Sequence, residues 1–153
     1  MSITQIGEFK KVSGNLGVVM SIDYGIKKVG IAICDPTMSI TMPYKTIVEN
    51  KMLRLIDIIR KIVEDKQVIY IVLGMPLNLD NSSNKQTEIV KHFANTLVKR
   101  IEVPIFLYDE RFSSRVADEM LKNIGLNRKR RSNIDDAIAA KIILDDFLSE
   151  IKG

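Results

Sequence analysis

The 153-residue sequence contains one cysteine and no tryptophan, and aromatic residues make up only 6% of it. A single cysteine, Cys34, cannot form an internal disulfide, so we interpret it as a core residue of a protein in a reducing compartment. The chain also lacks a charged start followed by an apolar run, and no stretch approaches the roughly 18 apolar residues of a membrane span. We therefore expect a cytoplasmic protein without a membrane partner.

The chain has only a small excess of positive charge: 23 Lys and Arg residues against 19 Asp and Glu residues give a net charge of +4. The share of hydrophobic residues is 46% and that of charged residues 27%, as in an average globular protein. The length suits one domain. We expect residues 1–16 to form an N-terminal lead-in and residues 17–153 to form a single domain.

Most of the positive charge lies in one segment. Residues 122–131 read KNIGLNRKRR, with five basic residues and no acid, so the rest of the chain is nearly neutral. The pattern leaves two interpretations open. The segment, ending in Arg128, Lys129, Arg130 and Arg131, is either a solvated loop or a grip on a phosphate backbone.

The pattern of apolar residues predicts three strands followed by alternating helices and strands. The short turn between GVVMSIDYG and VGIAICD favours an antiparallel hairpin, and Pro43 in the third strand indicates a sheet edge or a bulge. QVIYIVLG and PIFLYDE have the unbroken apolar character of strands buried on both faces. We predict an α/β fold: a mixed five-stranded sheet, antiparallel meander first and parallel strands after it, with helices on both faces. The predicted helices span about 50–65, 83–100, 113–123 and 132–150.

Asp23 occurs where a buried apolar pattern would not be expected to contain an acid. It lies inside the first strand, in phase with Val19 and Ser21. A carboxylate there is costly unless it is paired, hydrogen-bonded or bound to a metal. Capping of the turn at Gly25 is the alternative.

Glu110 is the second such acid. It falls at the end of PIFLYDE, in phase with Phe106 and Tyr108. Open α/β sheets place their sites just beyond the carboxyl ends of parallel strands. An ion pair with Arg111 or Arg115 is the simpler alternative.

The third acid lies on the last helix, whose inward stripe comprises Asp136, Ala140, Ile143 and Phe147. We expect Ser132 and Asp135 to form a capping box that begins this helix, which puts Asp136 in its first turn. Favourable interaction with the helix dipole explains Asp135 better than Asp136, because Asp135 lies off the stripe. Asp145 and Asp146 also lie off the stripe, and we expect both to be solvated.

Three carboxylates that converge from separate elements would repel one another unless cations lay between them. Ligands that are all oxygen favour a hard ion such as Mg²⁺ or Mn²⁺. Such a site typically hydrolyses phosphodiester bonds. Lys28, beyond the turn that follows Asp23, could contact a phosphate.

Four segments in order, SIDYGIKKVGIAICD, VLGMPLNLD, YDERFSS and IDDAIAAKIIL, resemble the bacterial pre-16S rRNA nuclease family, also described as Holliday-junction-resolvase-like. The resemblance covers about Gly17 to Leu148. It implies a ribonuclease-H-like fold and divalent-metal nuclease chemistry, with a role in trimming the 5′ end of the small-subunit ribosomal RNA precursor.

The resemblance also implies roles for individual residues. Position by position, the metal-binding and catalytic acids are Asp23, Glu110 and Asp136, with Asp135 as an alternative ligand. The loop Gly74-Met75-Pro76 and the following Asn78 would form the rim of a nucleic-acid cleft, and Arg111 would hold Glu110 or touch a phosphate.

The sequence leaves several functions open. The first is a metal-dependent nuclease that acts on structured RNA, with ribosomal precursor particles as partners. The second is a resolvase that cuts branched DNA and needs a homodimer for paired cuts, whereas the RNA nuclease could be a monomer. A non-catalytic RNA- or ribosome-binding protein is the third. An actin-like ATPase is disfavoured, because that architecture requires two related lobes.

Overall fold

The computed structural model describes residues 3–4, 16–25, 27–75, 85–109 and 128–152, which form a mixed sheet with helices on both of its faces. The strand order across the sheet is β1-β6-β5-β2-β3-β4. The strands are β1 (Ile3–Thr4), β2 (Val18–Tyr24), β3 (Val29–Cys34), β4 (Thr41–Ile47), β5 (Val68–Met75) and β6 (Ile105–Asp109). The helices are α1 (Met52–Lys66), α2 (Lys85–Val98) and α3 (Arg128–Lys152).

The strand directions are those that the sequence predicts. β2, β3 and β4 form an antiparallel meander, and β5 and β6 continue the sheet from β2 in parallel. The five expected strands are therefore confirmed. A sixth strand of two residues, β1, pairs in parallel with β6 within the expected lead-in. Two residues are too few to show a periodicity, so the sequence pattern could not reveal it.

The edge strand β4 accommodates Pro43 as expected. Ile31 pairs with Lys45 and the next residue of β3, Ala32, pairs with Pro43, so Tyr44 is an extra residue on β4. Proline has no N–H to donate, and both a sheet edge and a bulge tolerate that loss. Pro43 lies both on an edge strand and beside a bulge.

The turn that brings the chain from β3 into β4 is organised by one carboxylate. Asp35 accepts hydrogen bonds from the backbone N–H groups of Ile40 at 2.7 Å and Ser39 at 2.8 Å. These bonds, with that from the Thr37 hydroxyl, lower the pKa of Asp35 to about 2. The turn also places Met38 in the left-handed region at φ 59°.

Each face of the sheet has its own hydrophobic core. Alternate residues of β2 and β3, such as Met20 and Ile31, pack with α1 and α2 on one face. The intervening residues, such as Val19 and Ala32, pack with α3 on the other. Cys34 is a buried member of this second core, as expected for a core cysteine.

The start of α3 differs from the prediction. The helix begins at Arg128, so the four basic residues 128–131 form its first turn and are not a loop, and Ser132 and Asp135 do not begin it. Arginine and lysine are good helix formers, which allows the helix to extend past the predicted cap. The expected helix 113–123 lies outside the described residues. No helix in the described part of the chain is both long and apolar enough to cross a membrane.

Candidate active site

Asp23 lies at the end of the sheet that is formed by the carboxyl ends of three parallel strands, β2, β5 and β6. It is the last residue but one of β2, beside the carboxyl ends of β5 and β6. Alternation along β2 places its side chain on the α3 face, in phase with Val19 and Ser21. The carboxyl group is half-buried.

Glycine lies on both sides of Asp23 across the sheet. Gly30 of β3 is its antiparallel partner. On the other side, Ile22 pairs with Leu73, so Gly74 of β5 comes next in register beside Asp23. Neither neighbour has a side chain that could cover the carboxylate on the α3 face.

The absence of a side chain at Gly30 also determines how closely α3 approaches. A Cβ atom on Gly30 would lie 1.8 Å from the carbonyl oxygen of Asp136. The backbone of α3 at Asp136 therefore rests directly on the residue that pairs with Asp23. Two acids that are 113 positions apart in the sequence are brought together by this contact.

One helical turn further on, a buried hydrogen bond fixes the position of α3. Ser21 is fully buried, and its hydroxyl donates to the carbonyl oxygen of Ala140 at 2.5 Å. Ala140 is fully buried too, and its small side chain permits the close approach. Because Ser21 and Asp23 share one face of β2, the bond fixes the helix beside the strand that carries the first acid.

A second contact of α3 was not predicted. Asp145, expected to be solvated, accepts a hydrogen bond from the Thr41 hydroxyl of β4 and forms an ion pair with Lys141 at 2.8 Å. The Asp145 side chain is 41% exposed, so it is in contact with solvent as expected. Its bond to β4 was not foreseen, because helical periodicity identifies only the strip of the helix that faces the middle of the sheet, and not how far the sheet extends beneath the flank.

The Asp136 carboxyl group is in an unusual electrostatic position. Its Oδ2 atom is buried and has no hydrogen-bond partner in the part of the chain that the structure describes. Burial raises the pKa of Asp136 above its ordinary value, and the charge of Lys28 opposes the rise. A buried carboxylate oxygen without a partner is costly, and a bound cation would remove that cost. The donor type fits Mg²⁺ or Mn²⁺.

Helix α2 holds the end of β2 from the opposite face. The ring of Tyr24, the residue after Asp23, stacks on Phe93 of α2 with centroids 4.1 Å apart and an interplanar angle of 10°. Gln86, in the first turn of α2, donates from its side-chain amide to the carbonyl oxygen of Tyr24 at 3.4 Å. The backbone at Asp23 is therefore constrained on both faces of the sheet.

The structure brings together three of the predicted site residues, Asp23, Asp136 and Lys28. The backbone of Asp135 precedes Asp136 within α3, about two turns from the helix start, so the dipole explanation for these acids does not apply. Among the described residues no group of three His, Cys, Asp or Glu side chains could hold a metal. Of the other predicted site residues, those at 128–131 lie in the first turn of α3, and Glu110, Asn78 and Arg111 lie outside the described part of the chain.

Comparison with solved structures identifies the fold. RuvC of T. thermophilus, solved in complex with a Holliday junction substrate, aligns with a TM-score of 0.57 and 16% identity over 88% of this chain and 96% of that chain. The Fowlpox virus resolvase, solved with substrate Holliday junction DNA, aligns with a TM-score of 0.55 and 11% identity over 89% of this chain and 99% of that chain. The fold is therefore the ribonuclease-H-like fold of these resolvases, as the sequence resemblance implies.

Sequence comparison then identifies the family. The family described as "RuvX: Holliday junction resolvase" matches residues 17–150. A Rickettsia rickettsii (strain Sheila Smith) protein named "Putative pre-16S rRNA nuclease" is 39% identical over all of this chain and 99% of its own length. A protein of the same name from Rickettsia typhi is 40% identical over 99% of this chain and 97% of its own length. The chain belongs to the RuvX family, and the expected resemblance is confirmed.

The contact at Gly30 predicts a large effect of a single methyl group. Gly30→Ala should lower the free energy of unfolding by about 3 kcal/mol, because backbone atoms of α3 must move away from the sheet. Gly17→Ala is the matched control. Its Cβ would lie 2.6 Å from the terminal methyl group of Ile69, a side chain that can turn away at about 1 kcal/mol. Urea unfolding measures both, and equal losses of stability would contradict the proposed contact.

The raised pKa of Asp136 predicts a pH-dependent stability in metal-free protein. Well below the ordinary pKa of 3.8 the Asp136 carboxyl is protonated in both the folded and unfolded states, and no penalty arises. As the pH rises above that value, the unfolded state ionises first, and charging the buried group destabilises the fold. Asp136→Asn should therefore raise the urea midpoint at pH 7 in EDTA and change it little near pH 3. A lower midpoint at pH 7 would show that the carboxylate stabilises the fold.

Proposed function

We propose that the protein is a divalent-metal-dependent nuclease that hydrolyses phosphodiester bonds at the 5′ end of pre-16S rRNA. The observation that carries this proposal is the buried Oδ2 of Asp136, which has no hydrogen-bond partner among the described residues and lies on a helix backbone that rests against the strand partner of Asp23. A protein that only needed stability would gain from a neutral side chain at that position. A cation bound by Asp136 would explain an acid at this position.

Asp23, Asp136 and Glu110 are the proposed ligands of Mg²⁺ or Mn²⁺, with Asp135 as a further candidate. When bound, such an ion lowers the pKa of water and neutralises charge on a phosphate oxygen. The half-buried Asp23 and Asp136 supply anionic oxygens from two elements that are held rigidly together. Rigid placement of ligands is what precise metal chemistry requires.

Lys28 is the proposed first contact with substrate. Its positive charge lowers the pKa of Asp136, so its ammonium group lies near that acid. A cation there can attract the phosphate backbone and orient a phosphate group toward the acids. Arg111 and Asn78 are proposed to continue this contact on the basis of the sequence motifs that contain them.

The basic residues 128–131 are the proposed grip for nucleic acid further from the cut. They occupy the first turn of α3, where the unpaired backbone N–H groups and the helix dipole already create positive potential. Four cations at this end of a helix are unfavourable for folding, but they favour a polyanion. The arrangement supports an interaction with phosphates over a solvated segment.

The choice of ribosomal RNA rests on the relatives, which are named "Putative pre-16S rRNA nuclease" and align over nearly their whole length. Precursor particles of the ribosome are then the proposed physiological partners. The cytoplasmic location stays a prediction from the single cysteine.

A Holliday-junction resolvase is the second candidate. The description of the family and the two resolvase structures with the same fold favour it. The same acids would cut either nucleic acid, and paired cuts in a junction would need two copies of the chain. Cleavage assays on precursor rRNA and on a four-way DNA junction distinguish the two candidates, because each candidate should cut its own substrate faster.

Replacement of the first acid tests the proposed chemistry. Asp23→Asn should reduce Mg²⁺- or Mn²⁺-dependent cleavage at least 100-fold, of the order seen when a group that stabilises transition-state charge is lost. It should also abolish the stabilisation by Mn²⁺, about 2.7 kcal/mol at a free ion concentration 100 times the Kd. Asp57→Asn, an exposed acid of α1, is the control and should change neither quantity. Undiminished cleavage by Asp23→Asn would refute the site, and no cleavage by the unaltered protein would favour a binding protein.

Removal of the basic turn tests the grip. Changing Arg128, Lys129, Arg130 and Arg131 to Ala should weaken RNA binding and flatten its salt dependence by about 0.7 to 0.9 logarithmic units for each phosphate that the protein no longer neutralises. The control variant removes the same charge from Arg60, Lys61, Lys99 and Arg100, which are exposed elsewhere on the surface. Equal slopes for the two variants would mean that only net charge matters.

A further inference from the structure

A groove lies at the end of the sheet where β2 turns into β3 and where β4 ends. It has a volume of about 480 Å³ and is open to solvent. One wall is Lys27, in the turn between β2 and β3, and the other is the segment between β4 and α1. The lining residues are Lys27, Val48, Glu49 and Asn50. None of them has a role in the proposed cleavage chemistry.

The position of the groove relates it to the proposed cleavage site. In the sheet, β3 separates β2, which carries Asp23, from β4, whose last residue directly precedes Val48. Neighbouring strands are about 4.8 Å apart, so the groove lies about 10 Å from the strand of Asp23. That distance corresponds to one or two nucleotides along a nucleic-acid strand. Lys27 also precedes Lys28, whose charge acts on Asp136.

The lining combines an apolar surface with groups that form hydrogen bonds. Val48 is 72% exposed, so it offers an apolar surface to a molecule that enters the groove. Asn50 offers both a donor and an acceptor. One oxygen of Glu49 accepts the backbone N–H of Lys51 at 3.2 Å, which holds that carboxylate at the start of α1.

This combination matches a nucleobase better than a bare phosphate. A phosphate needs cations, and in this groove Glu49 opposes the single charge of Lys27. A base needs an apolar contact for its face and fixed donors and acceptors for its edge, and amide and carboxylate groups are among those that bind base edges.

We propose that this groove binds the base of one unpaired nucleotide that flanks the scissile phosphate. Val48 contacts the face of the base, Asn50 and Glu49 bind its edge, and Lys27 contacts the adjoining phosphate. The inference rests on the proposed nuclease function and adds a substrate requirement to it. Bases within a duplex are stacked and paired, so the groove selects single-stranded RNA beside the cut.

The test uses RNA strands in which single nucleotides near the cleavage site are replaced by abasic ones. For the unaltered protein, one abasic position within two nucleotides of the cut should lower kcat/KM about tenfold, the effect of removing one bound base. The double variant Val48→Ala, Asn50→Ala should show a similar decrease on intact RNA. It should show no further decrease on the abasic strand, since the groove then has no base to bind.

Leu53→Ala is the matched control. Leu53 is another exposed aliphatic residue, on the first turn of α1, and it does not line the groove. This variant should keep the sensitivity to the abasic position, and Mn²⁺ should stabilise all three proteins equally. Equal abasic effects on the double variant and the unaltered protein would overturn the base subsite, as would the absence of any sensitive position.

The two proposals fail in different ways. If the unaltered protein cuts intact RNA but is indifferent to every abasic position, the nuclease stands and the subsite is wrong. If it cuts no strand, the nuclease proposal fails, and the affinity for the same strands, measured by fluorescence anisotropy, decides the subsite. The base subsite is supported if the unaltered protein binds one abasic strand more weakly than intact RNA and the double variant binds the two equally. It is refuted if the unaltered protein binds every abasic strand as tightly as intact RNA.

Discussion

The close contact between α3 and the centre of the sheet is the interaction on which the candidate site depends. It is possible only because the face of the sheet beneath the helix is built from small residues. Gly30 admits the helix backbone, Ser21 provides a buried hydrogen bond to Ala140, and Ala32 lies beneath the same helix. A longer side chain at any of these positions would lift the helix and move Asp136 away from Asp23.

The same contact creates an electrostatic cost. It buries one oxygen of Asp136 without a partner among the described residues, whereas further along α3 the apolar residues Ile143 and Phe147 are fully buried in the core. The apolar part of the helix therefore provides the stability that the acidic part reduces. This division is typical of sites where function and stability compete, since a group that must bind a charged ligand cannot also be satisfied within the protein.

The sequence predicts the sheet well because strand signals are local. Alternation in β2 places Asp23 in phase with Ser21, and the structure has Ser21 bonded to the helix on that face. Pro43 likewise marks the edge strand and its bulge. The sequence does not reveal contacts between distant elements. The close approach at Gly30, the hydrogen bond from Thr41 to Asp145 and the pairing of β1 with β6 all depend on the assembled sheet.

The start of α3 shows why local signals can mislead near a site. Ser132 and Asp135 have the spacing of a capping box, but the helix continues back to Arg128. The longer helix puts four basic residues at its positive end, an arrangement that helix stability alone would not select. It also moves Asp136 from the first turn to the interior of the helix, where the backbone is fully hydrogen-bonded and rigid. The acid gains a fixed position and loses the free N–H groups that would have stabilised its charge, so a cation becomes the natural partner for it.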